Sequence, residues 1–283
     1  MNYRHAYHAG NFADVLKHAV LALVIEHLKA KPAPFRVIDT HAGRGRYDLG
    51  GSEARKTGEW LDGIGRLIGP DAEPLPSGIE TLLKPYLEAV GPLERDQAPV
   101  YPGSPALALA LMRDQDRLVA NELHPEDRAA LQVEIGGDTR AKVLGIDGWQ
   151  ALKALLPPKE RRGVILVDPP FEEPGEFERL LQGLEAAVAR FATGVYLLWY
   201  PAKDGASVGV FRRRLADKSY PKLLCVELAI AGPGERDGLA ATGLVILNPP
   251  FRLEAQLRVL VPFLVTRLGK GKGAHCSIDR LTD

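Results

Sequence analysis

The residues Asp168-Pro169-Pro170-Phe171 directly follow an apolar run, residues 163–167. At the end of a buried strand they could receive a planar ring that carries an amino group. The carboxylate of Asp168 and the carbonyl of Pro169 would accept hydrogen bonds from the amine, and Phe171 would stack on the flat face. Asp168 could also remove a proton from the amine, before or after a group is transferred to its nitrogen. These three candidate catalytic residues indicate a methyltransferase that acts on an exocyclic nitrogen.

Three further acids come at or after the ends of predicted strands, as Asp168 does. They are Asp39, Glu122 and Asp147. In a doubly wound sheet, ligands gather at the carboxyl ends of the strands. Asp39, followed by the flexible Gly43, suits a cofactor that carries a cation, such as S-adenosylmethionine. Glu122 could bind ribose hydroxyls and Asp147 an adenine amino group, although either acid taken singly is more often a helix N-cap or a loop carboxylate.

Alternating patterns predict the elements that must position these acids. Short apolar runs predict seven strands, at residues 35–38, 117–120, 141–144, 164–167, 195–199, 223–230 and 243–247. Three- and four-residue periodicity predicts helices near residues 12–28, 79–90, 105–113, 124–135, 148–155, 177–190 and 206–218. Strand and helix alternation of this kind indicates an α/β fold with a mostly parallel sheet covered by helices on both faces.

The stretch 47–100 interrupts this alternation. It is rich in glycine, proline and charge, and one helix is convincing within it. We therefore predict a main domain formed by residues 1–46 and 101–283 and a small inserted helical subdomain at 47–100. The insertion is either a solvated elaboration or a lid that contacts the substrate, and the sequence does not separate the two.

A second motif, Asn248-Pro249-Pro250-Phe251, has a similar form and also follows an apolar strand. If the last two predicted strands form an antiparallel hairpin, Asn248 arrives at the opposite rim of the sheet from Asp168. Asp168 is then the catalytic residue and Asn248 a structural one.

The N-terminal residues 2–18 combine three histidines, two tyrosines and two cations. Their spacing matches no zinc signature, and no metal is expected. Aromatic rings interleaved with cations suit single-stranded RNA, with Tyr3, Arg4 and His5 as candidate contacts. A disordered arm that ends at an N-cap, Asn11, explains the same pattern.

Overall composition sets limits on the class of protein. In 283 residues, 36 basic side chains balance 36 acidic ones, so any nucleic-acid surface must come from local asymmetry. The two cysteines form no CxxC pair, which makes a disulfide framework improbable. The N-terminus lacks a signal-peptide core and no apolar run is long enough to span a bilayer, so we expect a cytoplasmic protein without a membrane anchor. We also expect a monomer.

Taken together, the motifs resemble the bacterial RlmJ family, which methylates adenine N6 in large-subunit ribosomal RNA. The resemblance covers nearly the whole chain and is weakest in the insertion and the last dozen residues. It rests on the segments 3–5, 8–11, 14–18, 39–43, 101–105, 122–125, 147–148, 168–171, 198–201 and 248–250. One departure is Phe171, where the best-known members have tyrosine, so stacking is retained but a phenolic hydroxyl is not.

This resemblance implies a Rossmann-like class I methyltransferase that uses S-adenosylmethionine and acts on free 23S ribosomal RNA. It implies that Tyr3 contacts RNA. The implied cofactor contacts are Lys17, His18, His41, Ser104, Glu122, Asp147, Gly148 and Asp168, to which the pattern of the first strand adds Asp39 and Gly43.

Other functions stay open at this stage. The same receptor would serve a methyltransferase of DNA adenine or of a protein glutamine. A catalytically silent RNA-binding factor could retain the fold, although the intact Asp168 argues against that. An NAD-dependent oxidoreductase is disfavoured, because the G-x-G-x-x-G spacing that cradles a pyrophosphate is absent.

Overall fold

Eight strands form one sheet in the computed structural model, which describes residues 4–93, 99–218, 220–235 and 237–282. Two more strands form a separate antiparallel ribbon. The sheet contains β1 (Arg36–Asp39), β4 (Arg117–Asn121), β5 (Ala141–Leu144), β6 (Gly163–Val167), β7 (Val195–Pro201), β8 (Leu223–Ala229), β9 (Ala241–Leu247) and β10 (His275–Arg280). The ribbon contains β2 (Arg46–Asp48) and β3 (Val100–Pro102).

The order of the strands is β10-β8-β9-β7-β6-β1-β4-β5. Strands β5, β4, β1, β6 and β7 run parallel, whereas β9 is antiparallel to both β7 and β8. The register places Ile38 of the central β1 opposite Val119 on one side and Ile165 on the other. These five parallel strands therefore end at the same edge of the sheet.

Helices cover both faces of the sheet because neighbouring strand residues point to opposite sides. Val37 belongs to one apolar core and Ile38 to the other. The first core is formed with α1 (Phe12–Lys29), α4 (Ser77–Val90), α5 (Ser104–Leu111), α6 (Pro125–Ile135) and α10 (Leu253–Leu268), and the second with α7 (Gly148–Ala154), α8 (Glu176–Arg190) and α9 (Gly205–Asp217). The side chain of Asn11 starts α1 by accepting from the backbone N–H groups of Ala13 and Asp14.

The ribbon of β2 and β3 flanks a helical segment. This segment contains α2 (Ser52–Thr57), α3 (Gly65–Ile68) and α4. Helix α4 buries Ile79, Leu83, Tyr86 and Val90, whose three- and four-residue spacing forms one apolar face. These side chains belong to the same apolar core as α1, so the segment is packed onto the body that carries the sheet.

The Rossmann-like α/β fold is confirmed, and all seven predicted strands are present. The prediction of seven strands in the sheet was short by one, because β10 pairs with β8 at the edge. Its sequence, HCSIDR, is polar and half exposed, so it carries no apolar run to reveal it. Helix α10, with Pro262 in its interior, was also not predicted. None of the described helices is long and apolar enough to cross a membrane.

The antiparallel placement of β9 confirms the predicted position of the second motif. Leu247 at the end of β9 lies opposite Tyr196 near the start of β7, so Asn248 emerges at the rim opposite Asp168. There its side-chain nitrogen donates to the carbonyl oxygens of Ala192 and Gly194, each at 2.8 Å. Asn248 also adopts a left-handed backbone conformation, φ 54°, which asparagine tolerates better than most residues.

Candidate active site

The ends of β1, β4, β5 and β6 surround a cavity of about 370 Å³. Its size falls in the range usual for small-molecule sites. Nearly all residues predicted to contact a cofactor lie in its wall, together with two from the other predicted groups. These are Lys17, His18, His41, Gly43, Ser104, Glu122, Asp147, Gly148 and Asp168, with His5 and Pro169.

The two oxygens of the Asp168 carboxylate have different surroundings. Oδ2 accepts a hydrogen bond of 2.5 Å from the ammonium group of Lys17. Among the described residues, no group donates to Oδ1. The lysine thus fixes the orientation of the carboxylate and leaves one oxygen available to a ligand in the cavity.

Asp14 holds Lys17 from the other side and is a residue that the sequence predictions did not place in the site. Its carboxylate is 2.8 Å from Nζ of Lys17 and 2.8 Å from Nε2 of His5, and it accepts from the N–H of Gly10. Burial alone would raise the pKa of Asp14, but the charges of His5 and Lys17 hold that pKa well below its usual range. Spacing of i and i+3 on a helix could have revealed the pair with Lys17.

Asp39 lies beneath the cavity rather than in its wall. It is 1% exposed, and it accepts from the hydroxyl of Ser104 at 2.6 Å and from the backbone N–H of His41 at 3.2 Å. Burial raises the pKa of Asp39 to about 7. Asp39 thus contacts Ser104, which does line the cavity, and its contact with a cation stays a prediction.

Glu122 shapes the turn that follows β1. Its two oxygens accept from the backbone N–H groups of Gly43 and His124, each at 2.8 Å, and burial raises its pKa. Gly43 has φ 62°, and a Cβ there would lie 2.1 Å from the hydroxyl oxygen of Tyr47. A carboxylate oxygen can accept more than one hydrogen bond, so Glu122 still has capacity for a ligand hydroxyl.

Asp147 is a helix N-cap and also lies where it could contact a ligand. Its Oδ1 caps α7 by accepting from the N–H groups of Trp149 and Gln150, each at 3.0 Å, and the residue also lines the cavity. Beside it, Gly148 has no room for a side chain, because a Cβ would lie 2.5 Å from Nε2 of His41. Burial lowers the pKa of His41 to about 4, so this ring is neutral near pH 7.

Besides Asp39, two described residues among those predicted, Phe171 and Arg4, lie outside the wall. The ring of Phe171 contacts Phe177 and Trp199 edge to face, and its backbone adopts φ 52°, a strained conformation for an aromatic residue. Arg4 forms an exposed ion pair of 2.6 Å with Glu126. Tyr3 lies outside the described residues.

The wall also contains residues that the sequence predictions missed. Carboxylates outnumber lysine and arginine in it, and several of these acids follow the Asp168 motif directly, a signal that composition could have supplied. The acids are Glu122, Asp127, Asp147, Asp168, Glu172, Glu173 and Glu176, against Lys17 and Arg179. A surplus of negative charge favours a cationic ligand. Among the described residues, no three acidic, histidine or cysteine side chains are arranged to hold a metal ion.

Comparisons with known proteins agree with this chemistry. Residues 32–281 match a family model described as "RsmJ: Ribosomal RNA large subunit methyltransferase D, RlmJ". A protein named ribosomal RNA large subunit methyltransferase J from Escherichia coli K12 is 43% identical over 280 residues, 99% of this chain and 98% of its own length. The protein of the same name from Haemophilus influenzae is 40% identical over 277 residues, 97% and 96%. The crystal structure of protein LPL1258 from Legionella pneumophila superposes with a TM-score of 0.85 at 33% identity, covering 96% of this chain and 98% of that one.

Proposed function

This chain belongs to the RlmJ family of ribosomal RNA large subunit methyltransferases, and from that premise we propose how its residues direct a methyl group to the N6 of an adenine in 23S ribosomal RNA. The observation that carries the proposal is that the two carboxylate oxygens of Asp168 have different surroundings. One oxygen is bound by Lys17, and the other receives no donor from the described part of the chain.

The cavity suits S-adenosylmethionine, the methyl donor of this reaction. When bound, the donor supplies an electrophilic methyl group on a sulfonium. Glu122 would accept from the ribose hydroxyls, and Asp147 would accept from the adenine amino group. The surplus of carboxylates in the wall favours the cationic end of the donor over a neutral analogue.

Asp168 and Pro169 would activate the target amine. The N6 lone pair of adenine is delocalised into the ring, so the nitrogen is a poor nucleophile. Hydrogen bonds from its two N–H groups to Oδ1 of Asp168 and to the Pro169 carbonyl would draw the nitrogen toward a tetrahedral geometry. The two prolines restrict the backbone here, which keeps the carbonyl in place. Much of the rate would come from this orientation, with Asp168 also positioned to accept the released proton.

The target base must leave its helix to reach this receptor. The acidic wall disfavours phosphate, so the RNA backbone would stay outside while the base enters, with Phe171 stacking on it. His5, in the wall, would contact the RNA, as would Arg4 and Tyr3 nearby in sequence. We further propose that segment 47–100 is an inserted subdomain beside residues 1–46 and 101–283, and that the enzyme acts as a cytoplasmic monomer.

A comparison of three classes of substrate tests the function. Protein-free 23S ribosomal RNA, genomic DNA and a cell protein extract are incubated separately with the enzyme and isotopically labelled S-adenosylmethionine. Mass spectrometry of the digests is expected to find N6-methyladenine in RNA. The Asp168→Asn variant should form little product and Asn248→Ala should match the wild type, which excludes a contaminating enzyme. Label in DNA adenine or protein glutamine instead of RNA would contradict the proposal.

A further inference from the structure

Three buried side chains form a hydrogen-bonded row that ends at the cavity. The hydroxyl of Tyr86, on α4, is 2.9 Å from the hydroxyl of Tyr101, on β3. The hydroxyl of Tyr101 is in turn 2.8 Å from Nδ1 of His18, on α1. Both tyrosines are 0% exposed and His18 is 1% exposed, and His18 lines the cavity. The row therefore connects the helical segment between β2 and β3 to the cavity proposed for the methyl donor.

The protons along this row can be placed by counting acceptors. Within the described residues, the hydroxyl of Tyr86 has Tyr101 as its hydrogen-bond partner. If Tyr101 donated to Tyr86, the proton of Tyr86 would be buried without an acceptor, an unfavourable state. Tyr86 therefore donates to Tyr101, and Tyr101 donates to Nδ1 of His18.

The far nitrogen of His18 leads to the same assignment. Nε2 lies 4.0 Å from Oδ1 of Asp14. Because Asp14 is ionised, its charge repels a lone pair on Nε2 and favours a proton there. Burial lowers the pKa of His18 to about 3, so the ring is neutral and carries one proton. Two independent contacts thus select the tautomer with Nε2–H and an accepting Nδ1.

We propose that Tyr86 and Tyr101 are positioning residues that hold His18 in this tautomer, so that Nε2–H binds the carboxylate of the amino-acid part of the methyl donor. This inference rests on the proposed function. The acids of the wall suit the ammonium, sulfonium and hydroxyl groups of the donor, whereas its carboxylate needs an N–H. At 4.0 Å the contact of Nε2 with Asp14 is too long for a hydrogen bond, so the N–H is available.

The proposal gives the 47–100 segment a role in the site. Tyr86 is buried on the apolar face of α4, so the packing of that helix against α1 sets the position of its hydroxyl. A displacement of α4 would remove the hydroxyl that donates a hydrogen bond to Tyr101, and the ring of His18 would be held less firmly. Affinity for the methyl donor is therefore expected to depend on the fold of this segment.

Nuclear magnetic resonance of the free protein tests the tautomer directly. The nitrogen shifts of the imidazole rings are recorded on labelled protein, and the His18 signals are assigned by their loss in His18→Gln. We expect a protonated Nε2 and an unprotonated, hydrogen-bonded Nδ1. A protonated Nδ1 would overturn the proposal, whether or not the protein methylates RNA.

Calorimetry with two ligands tests the role in binding. S-adenosylmethionine carries the amino-acid carboxylate, and 5′-methylthioadenosine lacks it. Tyr101→Phe is expected to weaken binding of the first about tenfold and of the second less than about twofold, with a smaller loss for Tyr86→Phe. The control Tyr196→Phe removes a buried hydroxyl that donates to Ala187 and Phe191 in the other core, and it should change neither affinity.

Equal weakening for both ligands, or none for S-adenosylmethionine, would overturn the positioning role. A wild-type protein that binds neither ligand would instead contradict the proposed function, and the tautomer measurement would still decide the inference about the row. If Tyr101→Phe does not fold, Tyr86→Phe carries the comparison, with a loss confined to S-adenosylmethionine supporting the inference.

Discussion

Asp168 owes its proposed role to the lysine that occupies one of its oxygens. A carboxylate in this position can orient the amine, accept its proton, or do both. Lys17 is itself enclosed between two acids, and its pKa is raised because the attraction of Asp14 and Asp168 outweighs the opposing effect of burial. The lysine is therefore a fixed cation, and the carboxylate is held in one orientation before the substrate arrives.

Substitution of Asp168 by asparagine keeps the shape of the side chain but removes its negative charge. We expect Asp168→Asn to lower kcat by about 100-fold or more, since the amide is a weaker acceptor and a poor base. Donor affinity should change by less than about threefold, because the other wall residues are intact. Multiple-turnover methylation of 23S ribosomal RNA at saturating substrate measures kcat, and calorimetry measures donor affinity. Full activity in this variant would reject the proposed role.

Phe171 tests the proposed stacking. Its ring is held by Phe177 and Trp199 and its backbone is strained, a combination often found at functional positions. Phe171→Ala is expected to reduce kcat/KM for RNA by about tenfold or more, whereas Phe171→Tyr should stay within about threefold of the wild type. Donor affinity, measured in parallel, should be unchanged in both. Equal activity of the alanine variant would exclude stacking.

The buried Asp39 predicts an unusual pH dependence of stability. Its pKa of about 7 lies above the unfolded value, so between the two pKa values the folded protein holds a proton that the unfolded chain has lost. The contribution of Asp39 to stability is therefore greatest at low pH and falls as the pH rises to about 7. The free energy of unfolding of Asp39→Asn minus that of the wild type should rise by about 2 to 3 kcal/mol between about pH 5 and about pH 8.

Urea unfolding of both proteins at the two pH values provides this comparison. The difference between the two proteins removes the contributions of the other titrating groups. Ser104→Ala serves as a control, because it removes one hydrogen bond to the carboxyl but leaves the titratable group. A difference that stays constant with pH would show that Asp39 titrates normally.

At the scale of elements, strand direction decides which of two similar motifs meets the ligand. β6 runs parallel to β1 and delivers Asp168 to the cavity, whereas the antiparallel β9 delivers Asn248 to the opposite rim. The Asn248 amide closes the loop before β7 instead. A similar residue pattern therefore lines the cavity at one edge, where we propose that it serves catalysis, and closes a loop at the other.

Asn248→Ala is expected to lower the free energy of unfolding by about 2 to 4 kcal/mol. The variant loses two hydrogen bonds to backbone carbonyls and places alanine in a left-handed conformation. Methylation rate and donor affinity should remain those of the wild type at a temperature where both proteins are folded. Loss of donor binding in the folded variant would show that the second motif contributes to the site.

Over the whole molecule, positive and negative charges are equal in number but unevenly distributed. The cavity wall is acidic, while several cations outside it are paired, such as Arg4 with Glu126 and Arg46 with Glu134. Cations that are paired in this way contribute less to the neutralisation of phosphates. We therefore expect recognition of the RNA to depend more on the unstacked base than on its backbone.

RNA affinity should accordingly depend only moderately on salt. Between about 50 and about 200 mM NaCl, we expect the logarithm of Kd to change with a slope of about 2 to 3 against the logarithm of the salt concentration, as for three or four phosphate contacts. Fluorescence anisotropy with a labelled fragment of 23S ribosomal RNA measures this slope. A slope of about 7 or more would reveal a phosphate-binding surface that the charge distribution does not show.

The sequence by itself determined the α/β architecture and the edge at which the acids meet. Both follow from local patterns: apolar runs mark the parallel strands, and Glu122, Asp147 and Asp168 come soon after three of them. The polar edge strand β10 and the proline-containing α10 could not be found in this way. Their formation depends on β8 and on the first apolar core, which are distant in sequence.

Only the tertiary structure decided which groups face the cavity. Asp39 and Asp168 both come at strand ends, yet Asp39 is covered by Ser104 and Asp168 is open to the cavity. The row from Tyr86 through Tyr101 to His18 joins residues from three separate elements. No local pattern encodes such contacts, because they arise when helices and strands pack and each buried polar group must find a partner.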